Sequence, residues 1–302
     1  MKSEQATPDA KPALAALWMC GAIASFTAMA IAGRAIQQEL DSFELMFWRS
    51  LIGFGIVLSV VLITLRKTDQ GFAKAIKPTS PMLHLTRNLF HFAGQNLWFY
   101  GIMVIPLSQL VALEFTMPIW VALLAPLVLG ERFTMRRLFV ALLGFAGILI
   151  VAQPGVQPLT SGHLAGMLCA IGFAMNMMLT KRIMRTDSVI CVLFWMTLSQ
   201  TFFGFVLAQW GGFTWPSPAI WGWLVVVGLT GLSAHYALSS ALGLAPASTV
   251  APMEFLRLPV IAFVGVWLYA EPLEPLVFAG AAVILLANWV NLRGREMRQR
   301  PT

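Results

Sequence analysis

Residues 106–131 read PLSQLVALEFTMPIWVALLAPLVLGE, and residues 246–271 read PASTVAPMEFLRLPVIAFVGVWLYAE. In both segments a glutamate follows the first proline after eight residues, and a second glutamate follows seventeen residues later. The inner glutamates are Glu114 and Glu254, and the closing ones are Glu131 and Glu271. An acidic residue that recurs at one position of an otherwise apolar segment indicates a duplicated element with a charge inside the membrane.

The composition supports a membrane protein. Apolar residues make up 58% of the 302-residue chain and charged residues only 11%, whereas a soluble domain has about 25% charged residues. A membrane-spanning helix needs roughly 20 mostly apolar residues. We therefore predict an all-α polytopic membrane protein with ten transmembrane helices, which leaves no room for a soluble catalytic domain. The ten predicted spans are 12–32, 44–65, 82–104, 107–129, 134–152, 162–181, 189–209, 217–242, 247–270 and 275–292.

The positive charge is unevenly distributed between the two sides of the membrane. If the N-terminus is cytoplasmic, 17 of the 20 Lys and Arg lie in cytoplasmic segments or at cytoplasmic helix ends. Arg34 falls on the opposite side, and Arg49 and Arg257 fall within spans. The positive-inside rule thus accounts for the net charge of +7 without a nucleic-acid partner. It predicts an inner (cytoplasmic) membrane protein with cytoplasmic tails, 1–11 and 293–302.

The two halves of the chain align throughout, with a first repeat at 12–152 and a second at 162–292. Asp41-Ser42 matches Asp187-Ser188, and Phe47-Trp48 matches Phe194-Trp195. The alignment places Thr27 opposite Asn176 and Gln95 opposite His235. Because each repeat has five helices, the second must enter the membrane from the other side. The sequence therefore predicts inverted-topology repeats, in which substrate sites lie near the midplane between the halves.

Charged residues within spans need a partner or a wet cavity, since each costs about 2.5–3.5 kcal/mol even on the insertion scale. Arg257 follows Glu254 by three residues, a spacing that predicts an ion pair within one helix. Two roles remain open for Glu114 and Arg257, namely a structural ion pair and a site for substrate or protons. A structural role is favoured for Glu254. Arg49 is expected to be structural or to snorkel. Glu131 and Glu271 are interpreted as helix boundaries.

A polar stripe follows one face of the span 82–104. His84, Asn88, His91, Gln95 and Trp98 are spaced four, three, four and three residues apart. This spacing keeps them on one helical face, which must contact protein or a cavity rather than lipid. Hydrogen bonding between helices is the plain alternative to a binding role, and His84 is expected at the interface. His235 and Tyr236 form a second polar group in 217–242, and a histidine can titrate near neutral pH.

Sequence motifs for enzymes and cofactors were not found. There is no phosphate-binding glycine loop, no Ser/His/Asp set and no His/Cys/carboxylate cluster with metal-ligand spacing, so we expect no catalytic residue, metal or cofactor. Cys20, Cys169 and Cys191 are expected to be small buried hydrophobes. Any transport would have to be driven by gradients.

The chain resembles the drug/metabolite transporter superfamily, and within it the EamA type of ten-helix permease. The resemblance rests on the two opening segments and on GFAGILIV at 144–151 with its partner GAAVILLA at 280–287. It covers residues 12–293 and is more specific for the fold than for the substrate. The second repeat has Ala-Glu-Pro at 270–272, where Gly-Glu-Arg is usual. The resemblance implies a transporter, and RNLFHFAGQNLWFY at 87–100 is similar to the bacterial metabolite and vitamin carriers.

These observations predict a permease that works by alternating access on a small aromatic or heterocyclic metabolite, with a riboflavin-like vitamin favoured. Glu114, Glu254 and His91 are candidates for coupling to protons. The alternatives are an exporter of amino acids or toxic compounds and, in another class, a structural membrane subunit or a membrane-embedded enzyme. Oligomeric state is left open. The predicted substrate-binding residues are Gln95, Trp98, Glu114, His235 and Arg257, followed by His91, Asn176 and Tyr236.

Overall fold

The computed structural model of the chain describes residues 12–65, 75–130, 135–153, 158–244, 253–254 and 256–299. Among these residues there are eleven principal α-helices and no strand. In chain order they are α1 (Pro12–Ile36), α2 (Ser42–Leu65), α3 (Pro81–Val104), α4 (Leu107–Glu114), α5 (Met117–Leu129), α6 (Met135–Ala152), α7 (Ser161–Ile183), α8 (Val189–Ala208), α9 (Trp221–Leu244), α10 (Arg257–Tyr269) and α11 (Pro275–Gln299).

Six segments are long and apolar enough to cross a membrane: Ala13–Ile36, Ser42–Ile63, Leu107–Val128, Ser161–Ile183, Val189–Ala208 and Trp221–Leu238. The third of these contains both α4 and α5, so the two helices form one span. The helices α6, α10 and α11 contribute shorter apolar segments. Together with α3, these elements give ten transmembrane helices, and the prediction of an all-α polytopic membrane protein is confirmed.

Helix α3 is too polar to be recognised as a span from apolarity alone. A membrane helix tolerates these polar residues because they are buried against protein. Its polar residues His84, Asn88, His91 and Gln95 are buried. The opposite face exposes apolar side chains, including Met82, Leu85 and Leu89. A helix that buries its polar face and exposes its apolar one is suited to a lipid surround. The stripe therefore faces protein, as predicted, and His84, which was expected at the membrane interface, is buried by protein near the start of α3.

The main helix pairs follow the alignment of the two halves. The most extensive packing joins α1 to α9, α3 to α7, α2 to α8 and α6 to α11. Exchange of the two halves converts the α1–α9 pair into the α7–α3 pair and maps each of the other two pairs onto itself. The helices also approach closely, since an added Cβ at Gly147 in α6 would lie 2.9 Å from the Gly280 carbonyl oxygen in α11.

Two helix ends show the same local geometry in both halves. Gly130 follows α5 with φ 67°, and Ala270 follows α10 with φ 51°, so both adopt the left-handed conformation. Glycine adopts this conformation without steric cost, whereas for alanine it is sterically unfavourable. The turn at Ala270 carries Glu271 back toward its helix, with the Glu271 amide donating to the Gly265 carbonyl oxygen at 3.0 Å. The first half's Glu131 lies outside the described residues.

Candidate functional site

The span of α4 and α5 is interrupted at Phe115 and Thr116, within the membrane. Pro118 has no amide hydrogen and therefore leaves a gap in the helical hydrogen-bond ladder. Thr116 Oγ1 donates to the Leu113 carbonyl oxygen at 2.7 Å, and Asn288 Nδ2 donates to the Phe115 carbonyl oxygen at 3.0 Å. Protein groups thus satisfy backbone atoms that the break sets free, as the membrane interior requires. Glu114 is the last residue of α4 and projects from this break.

Glu114 forms an ion pair with Arg257, across the two halves of the chain. Arg257 Nη2 lies 2.8 Å from Glu114 Oε2, with side-chain exposures of 4% and 17%. The same Oε2 accepts a hydrogen bond from Trp98 Nε1 at 2.9 Å. Besides Glu254, with which its spacing allows it to pair, Arg257 thus meets a carboxylate from the other half, which the packing of α4 and α10 brings close to it. Glu254 is half-buried and also interacts electrostatically with Arg257.

Aromatic rings surround the guanidinium group of Arg257. Its carbon lies 4.9 Å from the centroid of the Phe26 ring and 5.1 Å from that of Phe115. Desolvated cation–π contacts of this kind are worth about 2 kcal/mol. Arg257 Nε is buried and has no hydrogen-bond partner among the described residues. The arginine is thus held by one carboxylate and two rings, and it keeps one donor free.

A series of ring contacts connects this ion pair with the histidines of α3 and α9. Phe26 meets His235 edge to face at 5.7 Å between centroids, and His235 meets His91 at 6.1 Å. Gln200 Nε2 lies 2.5 Å from His91 Nδ1. Five of the predicted residues, Trp98, Glu114, Arg257, His235 and His91, are therefore brought together, with Phe26 of α1 as the link. Phe26 was not predicted, because a phenylalanine in an apolar helix carries no signal of its own.

Four of the buried polar atoms that have no hydrogen-bond partner among the described residues belong to residues that the alignment of the halves pairs. They are Thr27 Oγ1, Gln95 Oε1, Asn176 Oδ1 and His235 Nε2. The alignment of the halves had paired Thr27 with Asn176 and Gln95 with His235, so the unpartnered atoms come as two matched pairs. An unsatisfied buried polar group costs about 1–3 kcal/mol. Such a set favours a site that hydrogen bonds to a polar ligand.

Two further aromatic residues, Tyr236 of the predicted substrate-binding set and Trp120, lie elsewhere. The structure leaves Tyr236 67% exposed, in edge contact with Trp18. Trp120 is half-buried in α5, where its Nε1 donates to Thr116 Oγ1 at 3.2 Å. Neither residue is in the contact series of Glu114, Arg257 and the histidines. Trp98 is the aromatic residue that the fold places beside the ion pair.

A second ion pair lies near the end of the bundle where α1 and α3 terminate, which we call the Arg34 end. Arg34 Nη1 lies 2.5 Å from Glu271 Oε1, and Glu271 Oε2 accepts the Leu107 amide hydrogen at 2.9 Å. Arg34 Nε also donates to the Ile102 carbonyl oxygen, and its guanidinium stacks on Tyr269. Glu271 does lie at a helix boundary, as interpreted, since α10 ends at Tyr269, and it also caps α4 and joins it to α1.

A neighbouring set of hydrogen bonds strengthens the Arg34 end. Gln109 Nε2 donates to Glu274 Oε2 at 2.9 Å, and Gln109 Oε1 lies 3.1 Å from His163 Nε2. His163 in turn contacts Thr160, which precedes α7. Sequence reasoning missed this region, although one signal was available. Arg34 is the lone basic residue on the side of the membrane that the positive-inside rule depletes, and such an exception calls for a specific partner.

The opposite end, which we call the Asp187 end, is held by a buried histidine–aspartate pair. His84 Nε2 lies 2.7 Å from Asp187 Oδ2, which also accepts the Thr79 amide hydrogen at 3.0 Å. Burial alone would raise the pKa of Asp187, but the hydrogen bonds from Thr79 and His84 outweigh it and lower the pKa to about 2. The carboxylate therefore joins the start of α3 to the turn between α7 and α8.

Cys191 completes a group of three metal-ligating side chains at this end, although the sequence spacing had indicated no metal site. One ligand atom from each of His84, Asp187 and Cys191 lies within 4.8 Å of the others. The existing contacts explain the group without an ion, because His84 and Asp187 bind each other and Cys191 Sγ donates to the Ile76 carbonyl oxygen at 3.4 Å. We interpret it as a structural link. Cys169 and Cys191 are buried, whereas Cys20 is exposed.

The fold and site together define a multi-pass membrane protein with a broken helix and a buried ion pair at its centre, the class of architecture found in transporters. The chain belongs to the EamA-like transporter family, whose model matches residues 13–153 and 160–293. The resemblance stated from the sequence is thereby confirmed. Family membership and the relatives described next indicate a transporter rather than an enzyme.

Curated relatives match almost the whole chain. An S-adenosylmethionine uptake transporter of Rickettsia bellii is 25% identical over 273 residues, covering 90% of each protein. A riboflavin transporter of Rhizobium johnstonii is 27% identical over 297 residues, covering 98% of this chain and 96% of the relative. A solved crystal structure shares the fold, with a TM-score of 0.62 at 17% identity, over 95% of this chain and 99% of its own. The chain is therefore similar to transporters of small metabolites.

Proposed function

We propose that this protein is a gradient-driven carrier that moves a small aromatic or heterocyclic metabolite across the inner membrane, with a riboflavin-like vitamin favoured. The observation that carries the proposal is the ion pair between Glu114 and Arg257. It joins the two halves of the chain at a break in a membrane helix, where an unpaired charge would be costly. A site between two halves is where alternating access places its substrate.

The substrate would bind between Trp98, Phe26 and the polar atoms that lack partners. A planar ring fits beside the aromatic side chains, because offset or edge contacts between rings stabilise such pairs. The carbonyl oxygens of Gln95 and Asn176 would accept hydrogen bonds from the ligand, and Arg257 Nε would donate one. The site thus offers both stacking surfaces and hydrogen-bonding groups, which suits a heterocycle with polar substituents.

Alternating access would then open the central site first to one end of the bundle and afterwards to the other. The repeats 12–152 and 162–292 would rock about the central site, and the contacts of the Arg34 end would have to open for the substrate to reach that side. Glu114, Glu254 and His91 are the proposed coupling groups, because each is a titratable side chain in the membrane interior. The distribution of Lys and Arg supports a cytoplasmic Asp187 end and cytoplasmic termini.

The relatives support this proposal at the level of substrate class. One relative is named for riboflavin transport and another for S-adenosylmethionine uptake, and both compounds contain a heterocyclic ring system with polar groups. This chain is 27% identical to the first relative and 25% identical to the second. The chain's own site, with aromatic rings beside a single ion pair, is compatible with such ligands. We favour the riboflavin-like class because the aromatic rings of Trp98, Phe26 and Phe115 lie beside the ion pair.

The proposal is tested by uptake into proteoliposomes that contain the full chain. Radiolabelled riboflavin, S-adenosylmethionine and tryptophan are supplied with an imposed pH gradient and membrane potential, and protein-free liposomes provide the background. We expect gradient-dependent accumulation of at least one heterocyclic compound, with riboflavin preferred over tryptophan. If none of the three moves while the protein remains folded and inserted, the proposed substrate class is wrong. Preferential movement of tryptophan would favour the alternative of an amino-acid exporter.

A further inference from the structure

Arg49 lies in the interior of the protein and has no acidic partner within the described part of the chain. It occupies the second turn of α2, and only 7% of the residue is exposed. Its one hydrogen-bond contact is from Nη1 to Met46 Sδ at 3.8 Å, and Nε has no partner among the described residues. Of the two expectations for Arg49, a structural role or snorkelling, snorkelling is not met, because a snorkelling arginine keeps its charged group in water.

The guanidinium of Arg49 packs against the backbone of α9. An added Cβ at Gly231 would lie 2.7 Å from Arg49 Nη2 and 3.0 Å from Nε, so the glycine leaves the space that the guanidinium fills. His235 follows Gly231 by four residues, one helical turn along the same face, which corresponds to a rise of about 6 Å. His235 Nε2 is also buried without a partner. The unpartnered Nε of Arg49 thus packs beside one turn of α9, and the unpartnered Nε2 of His235 belongs to the next turn of that helix.

A second arginine adds to the positive charge of this region. Arg87 in α3 is 6% exposed, and its partners are neutral, with Nε donating to Thr180 Oγ1 and Nη1 donating to Asn88 Oδ1, both at 3.0 Å. His91 and His235 each have both arginines as charged neighbours. The region between α2, α3 and α9 therefore contains two permanent positive charges, since arginine does not deprotonate in proteins.

The buried or central carboxylates of the described chain are engaged elsewhere. Glu44, on α2, accepts the amide hydrogens of Asp41 and Thr214 at 2.9 and 2.5 Å. Asp187 binds His84, Glu114 binds Arg257, and Glu254 also interacts electrostatically with Arg257. None of these acids forms an ion pair with Arg49 or Arg87. A buried charge without a counterion strongly disfavours the folded state unless a ligand supplies the opposite charge.

We propose that Arg49 and His235 form a binding site for a small anionic group, which acts as the counterion of the arginines in the membrane interior. Arg49 Nε donates to the anion, and neutral His235 donates through Nε2 when its proton is on that nitrogen. The anionic group is either a free inorganic anion, such as chloride or phosphate, or a phosphate or carboxylate carried by the transported metabolite. The site shares His235 with the contact series that leads to the Glu114–Arg257 pair. In its second form, as a site for an anionic group of the metabolite, it rests on the proposed function.

Thermal unfolding of the purified full chain in detergent tests this site directly. In a chloride-free HEPES buffer, chloride or phosphate is added and the Tm is followed by intrinsic tryptophan fluorescence. The wild-type Tm should rise with anion concentration and saturate. Arg49→Met should weaken the apparent anion affinity at least tenfold and should raise the Tm in the anion-free buffer, because it removes an uncompensated charge. Arg185→Met, at an exposed arginine, should retain the wild-type response.

Gly231→Ala provides a second variant that keeps the charge. Its methyl group occupies space within 3.0 Å of the guanidinium, so it should also weaken the anion response at least tenfold. Riboflavin and riboflavin 5′-phosphate then distinguish the two sources of the anion, since they differ by the phosphate alone. Stabilisation by inorganic anions assigns a free ion, and stabilisation by the phosphate ester but not by riboflavin or inorganic anions assigns the metabolite's own group.

Three results would overturn the proposal. The first is a wild-type Tm that responds to none of these anionic probes, and the second is a response that survives in Arg49→Met. The third is a lower Tm of Arg49→Met in every buffer, with the wild-type anion response unchanged, which would make Arg49 a packing residue. Failure of riboflavin uptake in proteoliposomes would leave these binding results standing, so the two proposals are judged separately.

Discussion

Arg257 Nη2 lies 2.8 Å from Glu114 Oε2, and this contact joins the start of α10 in the second half to the end of α4 in the first. Both charges occupy the helix end that the macrodipole disfavours, an acid at a C-terminus and a base at an N-terminus. The pair therefore offsets two unfavourable placements as well as the cost of burial. A purely structural cross-link would be achieved more simply by apolar side chains of similar volume, and a role in transport explains the choice of charges better.

The indole hydrogen bond of Trp98 should position the carboxylate of Glu114. Trp98→Phe keeps an aromatic ring but removes the donor that lies 2.9 Å from Glu114 Oε2. We expect the KM for the transported substrate to rise about 3–10-fold, which corresponds to about 1 kcal/mol for a lost hydrogen bond. Initial uptake rates over a range of substrate concentrations measure this change. Trp120→Phe, whose indole donates to Thr116 instead, should leave the KM within twofold of wild type.

The contacts of Glu271 should hold the Arg34 end closed. Glu271→Gln weakens both the Arg34 ion pair and the cap on Leu107, so we expect the free energy of unfolding to fall by about 1–3 kcal/mol. We also expect faster labelling of a cysteine introduced at the adjacent Gln109 in a background without native cysteines. Arg182→Gln, at an exposed arginine, should change neither quantity. Unchanged labelling in a folded Glu271→Gln variant would argue against a gate at this end.

The hydrogen bonds to the Asp187 carboxylate should make stability depend on acidic pH. The pKa of Asp187 is lowered to about 2 in the folded protein from its ordinary value of 3.8, so the stabilisation is present above pH 4 and is lost as the pH falls toward 2. Asp187→Asn removes this contribution. The Tm difference between wild type and Asp187→Asn should therefore be constant between pH 5 and 7 and shrink below pH 4. A difference that stays constant down to the lowest measurable pH would contradict this assignment.

Gly130 after α5 and Ala270 after α10 both have left-handed backbone conformations. Exchanging glycine and alanine at these two positions should have opposite effects on the free energy of unfolding. Ala270→Gly relieves the steric cost of φ 51°, and we expect stabilisation by about 0.5–1 kcal/mol. Gly130→Ala, at φ 67°, should destabilise the protein by about 1 kcal/mol. Chemical unfolding in detergent measures both changes. The same sign of effect for the two variants would show that the two turns are not equivalent.

Much of the fold followed from the sequence, because a membrane limits what a chain can do. Apolar length predicted most of the ten spans, and the spacing of His84, Asn88, His91 and Gln95 predicted a buried polar face on α3. The intramembrane charges Glu114 and Arg257 were singled out as site candidates because burial of a charge is costly. These inferences need only the helix period and the polarity of each residue.

Contacts between distant segments were not accessible from the same reasoning. Local spacing favoured Glu254 as the partner of Arg257, whereas the fold supplies Glu114 from another helix. Glu271 was interpreted only as a helix boundary, and its contacts with Arg34 and Leu107 depend on how the helices pack. Tyr236 and His235 are adjacent in sequence, yet the rotation of α9 exposes one and turns the other toward His91. Each outcome depends on which helices meet and at what rotation, which a single sequence does not specify.

The central claim is that Glu114 acts in substrate binding at the contact between the two halves. The most direct test is the initial rate of radiolabelled riboflavin uptake by wild type and Glu114→Gln, reconstituted in equal amounts, with Glu39→Gln at an exposed glutamate as the control. Glutamine keeps the size and an acceptor for Trp98 but removes the charge that binds Arg257. We predict at least a tenfold loss of uptake in Glu114→Gln, a Tm within a few degrees of wild type, and normal uptake in the control. Undiminished uptake by Glu114→Gln would contradict the account.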